Sequence, residues 1–341
     1  MTIETAALNE YLKPLRVLLD DNTLNEIIIN EPSVVWIERE GRFDSIQMDA
    51  LNERHLMGLA NLLARFSHQR LSEKEPLLSG VLPSGHRVQL VLPPATEKGR
   101  IVICIRKQTI KATTLKDYAD RGAFLRTKPC YLPQKNPLSL APDTEEERAL
   151  QAAFSKGDFL AFLTQAILMK KTIGTSGATS TGKTTFLNAC LQKVPLNEHI
   201  VTLEDVSELM PTQPLHTPLF TSKGGQSSAN ISMQDLVQAS LRLRPDRIIM
   251  GEIRGAEAID FMNAAATGHD GSLFSVHAGT IPQAFMRLVH MVKLTGTNLS
   301  REDILNDLLM TVDIVVQLKR RWDGEKLIRE ISDIYYVHAK T

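Results

Sequence analysis

The segment with the most explicit chemistry is Gly177-Ala178-Thr179-Ser180-Thr181-Gly182-Lys183-Thr184, with Thr185 following. It fits G-x-x-x-x-G-K-[ST], the pattern of a loop wrapped around phosphate oxygens. Such a loop turns backbone N–H groups inward and needs glycine where a Cβ would obstruct. The helix expected after it adds its N-terminal dipole to the pull on an anion. Lys183 then reaches the β- and γ-phosphates, and the Thr184 hydroxyl ligates Mg²⁺. A phosphate cradle alone binds without hydrolysing. Hydrolysis also needs a carboxylate near the metal and a group that orients water.

Two apolar runs end in suitable acids. Arg247-Ile248-Ile249-Met250-Gly251-Glu252 is a Walker-B arrangement that delivers Glu252 to the C-terminal end of a strand, beside the phosphate loop and the metal. His199-Ile200-Val201-Thr202-Leu203 leads into Glu204-Asp205, with Glu208 one helical turn later. Either Glu204 or Glu252 can polarise the attacking water, and the sequence leaves that choice open. A third apolar run, Ser272–Val276, lies between His269 and His277. The expected strand order puts His277 next to the tip of the Walker-B strand, where its imidazole can contact the γ-phosphate. No His, Cys or Asp spacing suggests a structural metal.

These residues require a scaffold that brings strand ends together. From about Ala149 the sequence alternates strand and helix. Strands are expected at Thr172–Ser176, Ile200–Leu203, Arg247–Met250, Ser272–Val276 and Ile314–Leu318. Helices are expected at Phe159–Leu168, Lys183–Lys193, Met233–Arg242, Glu257–Thr267, Pro282–Leu294 and Arg301–Met310. The alternation implies an α/β fold with a mostly parallel sheet that binds ligands at the carboxyl ends of its strands. Upstream, Leu8, Tyr11, Leu12, Leu15, Leu18 and Leu19 follow helical spacing. Short strand-like runs come next, at Glu26–Asn30, Val34–Glu38, Arg42–Met48, Arg87–Leu92 and Ile101–Arg106, with a helix at Leu51–Ser67. This part reads as a smaller α+β domain, 1–125. Between 126 and 148, Pro129, Pro133, Pro137 and Pro142 and an acidic cluster suggest an extended linker. The second domain then spans 149–341.

Composition narrows the function classes. Lys+Arg and Asp+Glu are both 39, so the formal net charge is +0, and aromatic residues make up 5%. A basic excess and a stacking platform, the marks of a nucleic-acid binder, are both missing, and no direct sequence-specific nucleic-acid binding is expected. Three scattered cysteines make neither a disulfide framework nor a four-cysteine zinc site, which fits a reducing compartment. The opening residues do not read as a secretory signal, and no run approaches the ~18 apolar residues of a membrane span. Any membrane association is expected to be peripheral.

The motifs SGATSTGKTT, TLEDVSEL, RPDRIIMGEIRG and GHDGSLFSVHAG, in this order and spacing, resemble the Walker A, Asp, Walker B and His boxes of the secretion traffic ATPases. The match is nearest to the VirB11 type, the hexameric ATPases of type IV secretion systems. It is strong over 159–341 and extends upstream through LPSGHRVQLVLPP and IVICIR. The resemblance implies a RecA-like C-terminal domain, ATP and Mg²⁺ as ligands, a nucleotide between the two domains and a homohexameric ring. Its further implications are partners among the inner-membrane secretion ATPases and channel proteins, and a cytoplasmic site at the inner face of the bacterial inner membrane. It also implies that Arg87 (in HRVQL) and Arg106 (in ICIRK) reach the phosphates. An arginine within an apolar strand is costly unless it faces solvent or an anion, so the residue-level reading agrees. Ser176 stands where the family often has glycine, and Ala178–Thr181 lacks the usual inner glycine. The rivals are a type II secretion or type IV pilus motor, a non-hydrolysing scaffold and a nucleic-acid translocase. Intact Lys183, Glu204 and Glu252 argue against the scaffold.

Overall fold

A computed structural model describes residues 3–108, 113–132, 144–222, 231–324 and 326–339. The chain divides into two compact units, 1–110 with 222–230, and 111–221 with 231–341.

The first unit opens with α1 (Ile3–Tyr11) and α2 (Arg16–Asp20), separated by a 3-10 turn at Lys13–Leu15. The single amphipathic helix expected here is interrupted because Pro14 has no N–H to donate to the preceding turn. Strands β1 (Glu26–Glu31), β2 (Val34–Arg39) and β3 (Arg42–Gln47) lead to α3 (Glu53–Phe66) and then β4 (Leu77–Val81), β5 (Arg87–Val91) and β6 (Val102–Arg106). They form an antiparallel sheet of order β3-β2-β1-β6-β5-β4. Alternate residues of its strands, such as Ile27, Ile29, Val88, Leu90, Ile103 and Ile105, are buried with Leu8 of α1 and with Leu56, Leu59 and Leu63 of α3. The period of two in the strands and the helical spacing in α3 each leave one polar face outward.

The second unit begins earlier than the sequence reading placed it. Helix α4 (Leu115–Asp120) buries Leu115 and Tyr118 in the core of this unit, with Tyr118 edge-on to Phe186 at a centroid distance of 5.3 Å. Strand β7 (Lys128–Cys130) joins its sheet. Of the expected linker, residues 133–143 lie outside the described residues. Its two ends carry β7 and the first turn of α5 (Glu145–Lys156).

After α5 come α6 (Phe159–Leu168), β8 (Ile173–Gly177), α7 (Lys183–Leu191), β9 (Ile200–Glu204), β10 (His216–Phe220) and α8 (Met233–Ser240). Next are β11 (Arg247–Ile253), α9 (Glu257–Ala266), β12 (Leu273–Val276), α10 (Ile281–Lys293), α11 (Arg301–Thr311), β13 (Ile314–Asp323) and β14 (Lys326–Tyr336). The sheet order is β10-β9-β11-β12-β8-β13-β14-β7, parallel from β10 through β13. Strands β8, β9 and β12 are buried along their whole length, which explains their runs of small and apolar residues without alternation. The order sets β12 between β8 and β11. With β9 on the other side of β11, the four sequence segments with chemistry therefore end side by side at the carboxyl edge of the sheet.

Candidate active site

The phosphate loop leaves β8 at Gly177. A Cβ there would sit 2.4 Å from Thr181 Oγ1 and 3.0 Å from the Leu318 carbonyl, so only glycine fits. Ala178 to Thr181 form the turn, closed by Thr181 Oγ1 donating to the Ala178 carbonyl at 2.8 Å. Ser180 adopts a left-handed φ of 60° in the stretch that has no inner glycine, and Arg329 Nε of β14 donates to its carbonyl at 3.3 Å. Gly182 is the N-cap of α7 and has no side chain to occupy the first amide N–H groups of the helix. By contrast Thr144, Asp158, Ser232, Thr280 and Ser300 cap α5, α6, α8, α10 and α11 with side-chain oxygens. A helix start presented this way suits an anion. Lys183 and Thr184 open α7 with Thr185 in the same turn.

Lys183 is buried, and its Nζ donates to the Gly177 carbonyl at 3.1 Å. The ammonium also lies 3.3 Å from each ring nitrogen of His277, just past the end of β12. His277 Nε2 in turn meets Glu252 Oε1 at 3.2 Å. Burial and the neighbouring Lys183 charge push the His277 imidazole below its ordinary value, against the pull of Glu252. Both effects favour the neutral imidazole over the cation. In the tautomer whose Nε2 donates to Glu252, Nδ1 is the nitrogen that can accept from Lys183.

Glu252 owes its placement to an irregularity in β11. Between the pairs Met250↔Phe274 and Ile253↔Val276, two residues, Gly251 and Glu252, oppose Ser275 alone. This is a β-bulge, a device that re-aims a side chain. The buried Ser275 hydroxyl donates to the Gly251 carbonyl at 2.6 Å, satisfying a group that the bulge displaces from the ladder. Burial pushes the Glu252 carboxyl up. The hydrogen bond from Arg254 and the charges of Arg254, His277 and Lys183 outweigh it and hold the group below the usual carboxylate value.

Glu204, the last residue of β9, is buried. Its Oε1 accepts the N–H groups of Glu208 and Leu209, both at 2.8 Å. Glu208 Oε2 accepts the Thr184 hydroxyl at 3.1 Å. Asn188 of α7 pins the same loop, donating to the Glu208 carbonyl at 2.9 Å and accepting Met210 N–H at 2.8 Å. Asp205 accepts from Arg254 and, at 2.8 Å, from the Thr221 hydroxyl.

Lys183, Thr184, Glu204, Glu252 and His277 thus converge with the loop. Arg87 and Arg106 lie in the first unit, on β5 and β6. They are register partners, and Glu26 of β1 pairs with Arg106 on its other side. Directly paired residues project from the same face, so two guanidinium groups share one patch; such like-charge pairs are unfavourable unless compensated. Sequence reasoning missed Arg254, Ser275 and Asn188. Arg254 was visible only as part of GEIRG, and no spacing marked the other two.

A Mg²⁺ ion fits the donor set: the Thr184 hydroxyl and the Glu208 and Glu252 carboxylates are hard oxygen donors on facing elements. Among the described residues no three His, Cys, Asp or Glu side chains form a cage of their own.

The sequence profile of the family "Type II/IV secretion system protein" matches residues 146–325. The type IV secretion system protein VirB11 of Brucella suis biovar 1 (strain 1330) is 38% identical over 97% of this chain and 90% of its own length. The PtlH homologue of Bordetella bronchiseptica is 34% identical over 97% of this chain and 95% of its own. Among solved structures, the VirB11 ATPase of the Brucella suis type IV secretion system, in complex with sulphate, is 36% identical. It covers 98% of this chain and 95% of that one, with a TM-score of 0.52. The convergence of loop, acids and histidine on a RecA-like sheet, together with these likenesses, leads to one conclusion. The chain belongs to the Type II/IV secretion system protein family and is an ATP-hydrolysing enzyme of the VirB11 type of type IV secretion.

Proposed function

We propose that this chain is one subunit of a homohexameric, Mg²⁺-dependent motor. The motor powers substrate translocation, pilus assembly or both in a type IV secretion or conjugation system, coupling ATP hydrolysis to domain motion. The observation that carries the reading is the link from Lys183 through His277 to Glu252, beside a phosphate loop whose helix start has no side-chain cap. The sulphate bound by the Brucella suis relative supports an anion site in this family.

In this account Gly177 to Thr185 wrap the phosphates, and Lys183 exchanges its contacts to Gly177 and His277 for phosphate oxygens. Mg²⁺, when bound there, would supply neutralisation of the phosphate charge. Thr184 and Glu252 would hold that ion. Glu204 is pinned by two N–H groups through Oε1, which fixes its orientation for aligning water, with Glu252 as the other candidate. His277, between Lys183 and Glu252, contacts the γ-phosphate. Arg87 and Arg106 bring positive charge to the phosphates.

Among the described residues no helix is long and apolar enough to cross a membrane. We place the motor in the cytoplasm, peripheral to the inner membrane, with other secretion ATPases and channel proteins as partners. Light scattering of the purified chain with Mg-ATP tests the assembly. A particle of six subunits is expected, and a strict monomer at micromolar concentration contradicts the motor reading.

A further inference from the structure

Arg254 lies one residue beyond β11 and two beyond Glu252. Its guanidinium is shared between two carboxylates that arrive on neighbouring parallel strands. Nη2 donates to Glu252 Oε2 at 2.8 Å, and Nη1 donates to Asp205 Oδ2. Each partner is also held from its other side. Asp205 Oδ1 accepts the Thr221 hydroxyl at 2.8 Å, and Glu252 Oε1 meets His277 at 3.2 Å. The arginine's backbone is anchored as well: Glu257, the first residue of α9, accepts the N–H groups of Arg254 and Gly255 through Oε1 at 2.8 and 2.9 Å.

A single surface ion pair contributes little, and the Arg254 side chain is 44% exposed. Its geometry is what sets it apart. Parallel pairing of β9 with β11 brings two carboxylates to one place, where they repel each other. One planar fork satisfies both with separate N–H groups, which an ammonium cannot do in the same geometry. Without it, Asp205 and Glu252 lose the cation they share, and Glu252 keeps His277 but loses the Arg254 hydrogen bond.

We propose that Arg254 is a positioning residue for hydrolysis: it braces the Asp205 loop against the Glu252 bulge and fixes the direction in which the Glu252 carboxylate faces. The inference rests on the reading of Glu252 as an acid of the nucleotide site. In this role Arg254 acts through Glu252 and not on the nucleotide.

The test uses the full chain as wild type, Arg254→Ala, Arg254→Lys and Lys183→Ala. Steady-state phosphate release is measured beside affinity for a fluorescent ADP in EDTA. Arg254→Ala should lose roughly tenfold or more in kcat, the scale of one charge-assisted hydrogen bond. Its metal-free ADP affinity should match wild type, because the phosphate loop is untouched. Millimolar guanidinium, far below denaturing levels, should restore part of the turnover. Arg254→Lys, which keeps the charge and loses the fork, should also fall in kcat and gain nothing from guanidinium. Adding Asp205→Ala to Arg254→Ala should cost little more than Arg254→Ala alone.

Unchanged or raised turnover in Arg254→Ala overturns the proposal. So does a loss confined to ADP affinity, or a loss that follows a lowered melting temperature with no guanidinium rescue. If Arg254→Ala does not fold, Arg254→Lys decides: wild-type kcat overturns the proposal, and reduced kcat with unchanged ADP affinity supports it. If wild type releases no phosphate, or Lys183→Ala releases it at the wild-type rate, the nucleotide-site reading falls and takes this inference with it. If both controls behave and Arg254→Ala turns over normally, this inference alone falls.

Discussion

Replacing Glu198 with alanine should destabilise the second unit from the end of the sheet opposite the nucleotide site. Arg247, which opens β11, is fully buried. Its Nε and Nη2 donate to the two Glu198 carboxylate oxygens at 2.5 and 3.1 Å, and Nη1 donates to the Gly271 carbonyl at 3.3 Å. Alanine removes the counter-charge and two of these three acceptors but leaves the guanidinium in the interior. Breaking a buried pair from one side costs about 3–5 kcal/mol, because the remaining charge is uncompensated. For a unit of this size each kcal/mol lowers the midpoint by about 2–4 °C, giving a fall of roughly 6–20 °C. Glu198→Gln keeps an acceptor oxygen and should fall between alanine and wild type. Circular dichroism melts of the three proteins measure this, with phosphate release assayed well below the transitions, where turnover should stay close to wild type. A midpoint for Glu198→Ala within about 2 °C of wild type, less than 1 kcal/mol on the same scale, would refute the reasoning. Gly271→Ala strikes the same lock: at φ +77° its Cβ would lie 2.6 Å from Arg247 Nη1 and 2.9 Å from the Lys170 backbone.

Glu252→Gln should still bind nucleotide and lose turnover; if Glu204→Gln and Glu252→Gln both hydrolyse at wild-type rates, the catalytic assignment is wrong. Glu204→Ala should in addition melt lower than Glu204→Gln, because two N–H groups lose their acceptor at roughly 1–3 kcal/mol for a buried group left unsatisfied. Ser275→Ala removes the donor that holds the Gly251 carbonyl in the bulge. It should cost about 1 kcal/mol of stability and lower kcat more than ADP affinity, and an unchanged kcat would mean that the bulge holds without it.

The parts of the fold that were legible in the sequence are those whose signal is local. β9 and β12 are short apolar runs, β8 is a run of small residues leading straight into the phosphate-loop motif, and α3 and α10 have strong helical spacing, so their positions follow from the residues alone. β4, β10 and β14 were not recognised. LLSGV and HTPLF are too short and too broken by glycine or proline to signal a strand, and KLIREISDIYY carries charges through its first half. The start of the second unit was misplaced for a related reason. Leu115 and Tyr118 look like the tail of the first domain, and their partner Phe186 lies far along the chain.

The candidate site divides the same way. Motifs with fixed spacing located Lys183, Thr184, Glu204, Glu252 and His277. Arg254, Ser275 and Asn188 act across parallel strands or between a helix and a loop, and no one-dimensional pattern records such contacts. The strand order β9-β11-β12-β8 is what converts separate motifs into one cluster, and it is set by crossover connections, not by residue identity.

The central claim is that the loop ending in Lys183 binds and hydrolyses ATP. Its most direct test is phosphate release from Mg-ATP by the purified chain and by Lys183→Ala, with matching melting temperatures showing that both are folded. The account predicts steady release by the wild type and loss of turnover in Lys183→Ala, because the ammonium that meets the phosphates is gone. Equal turnover by the two folded proteins would contradict it.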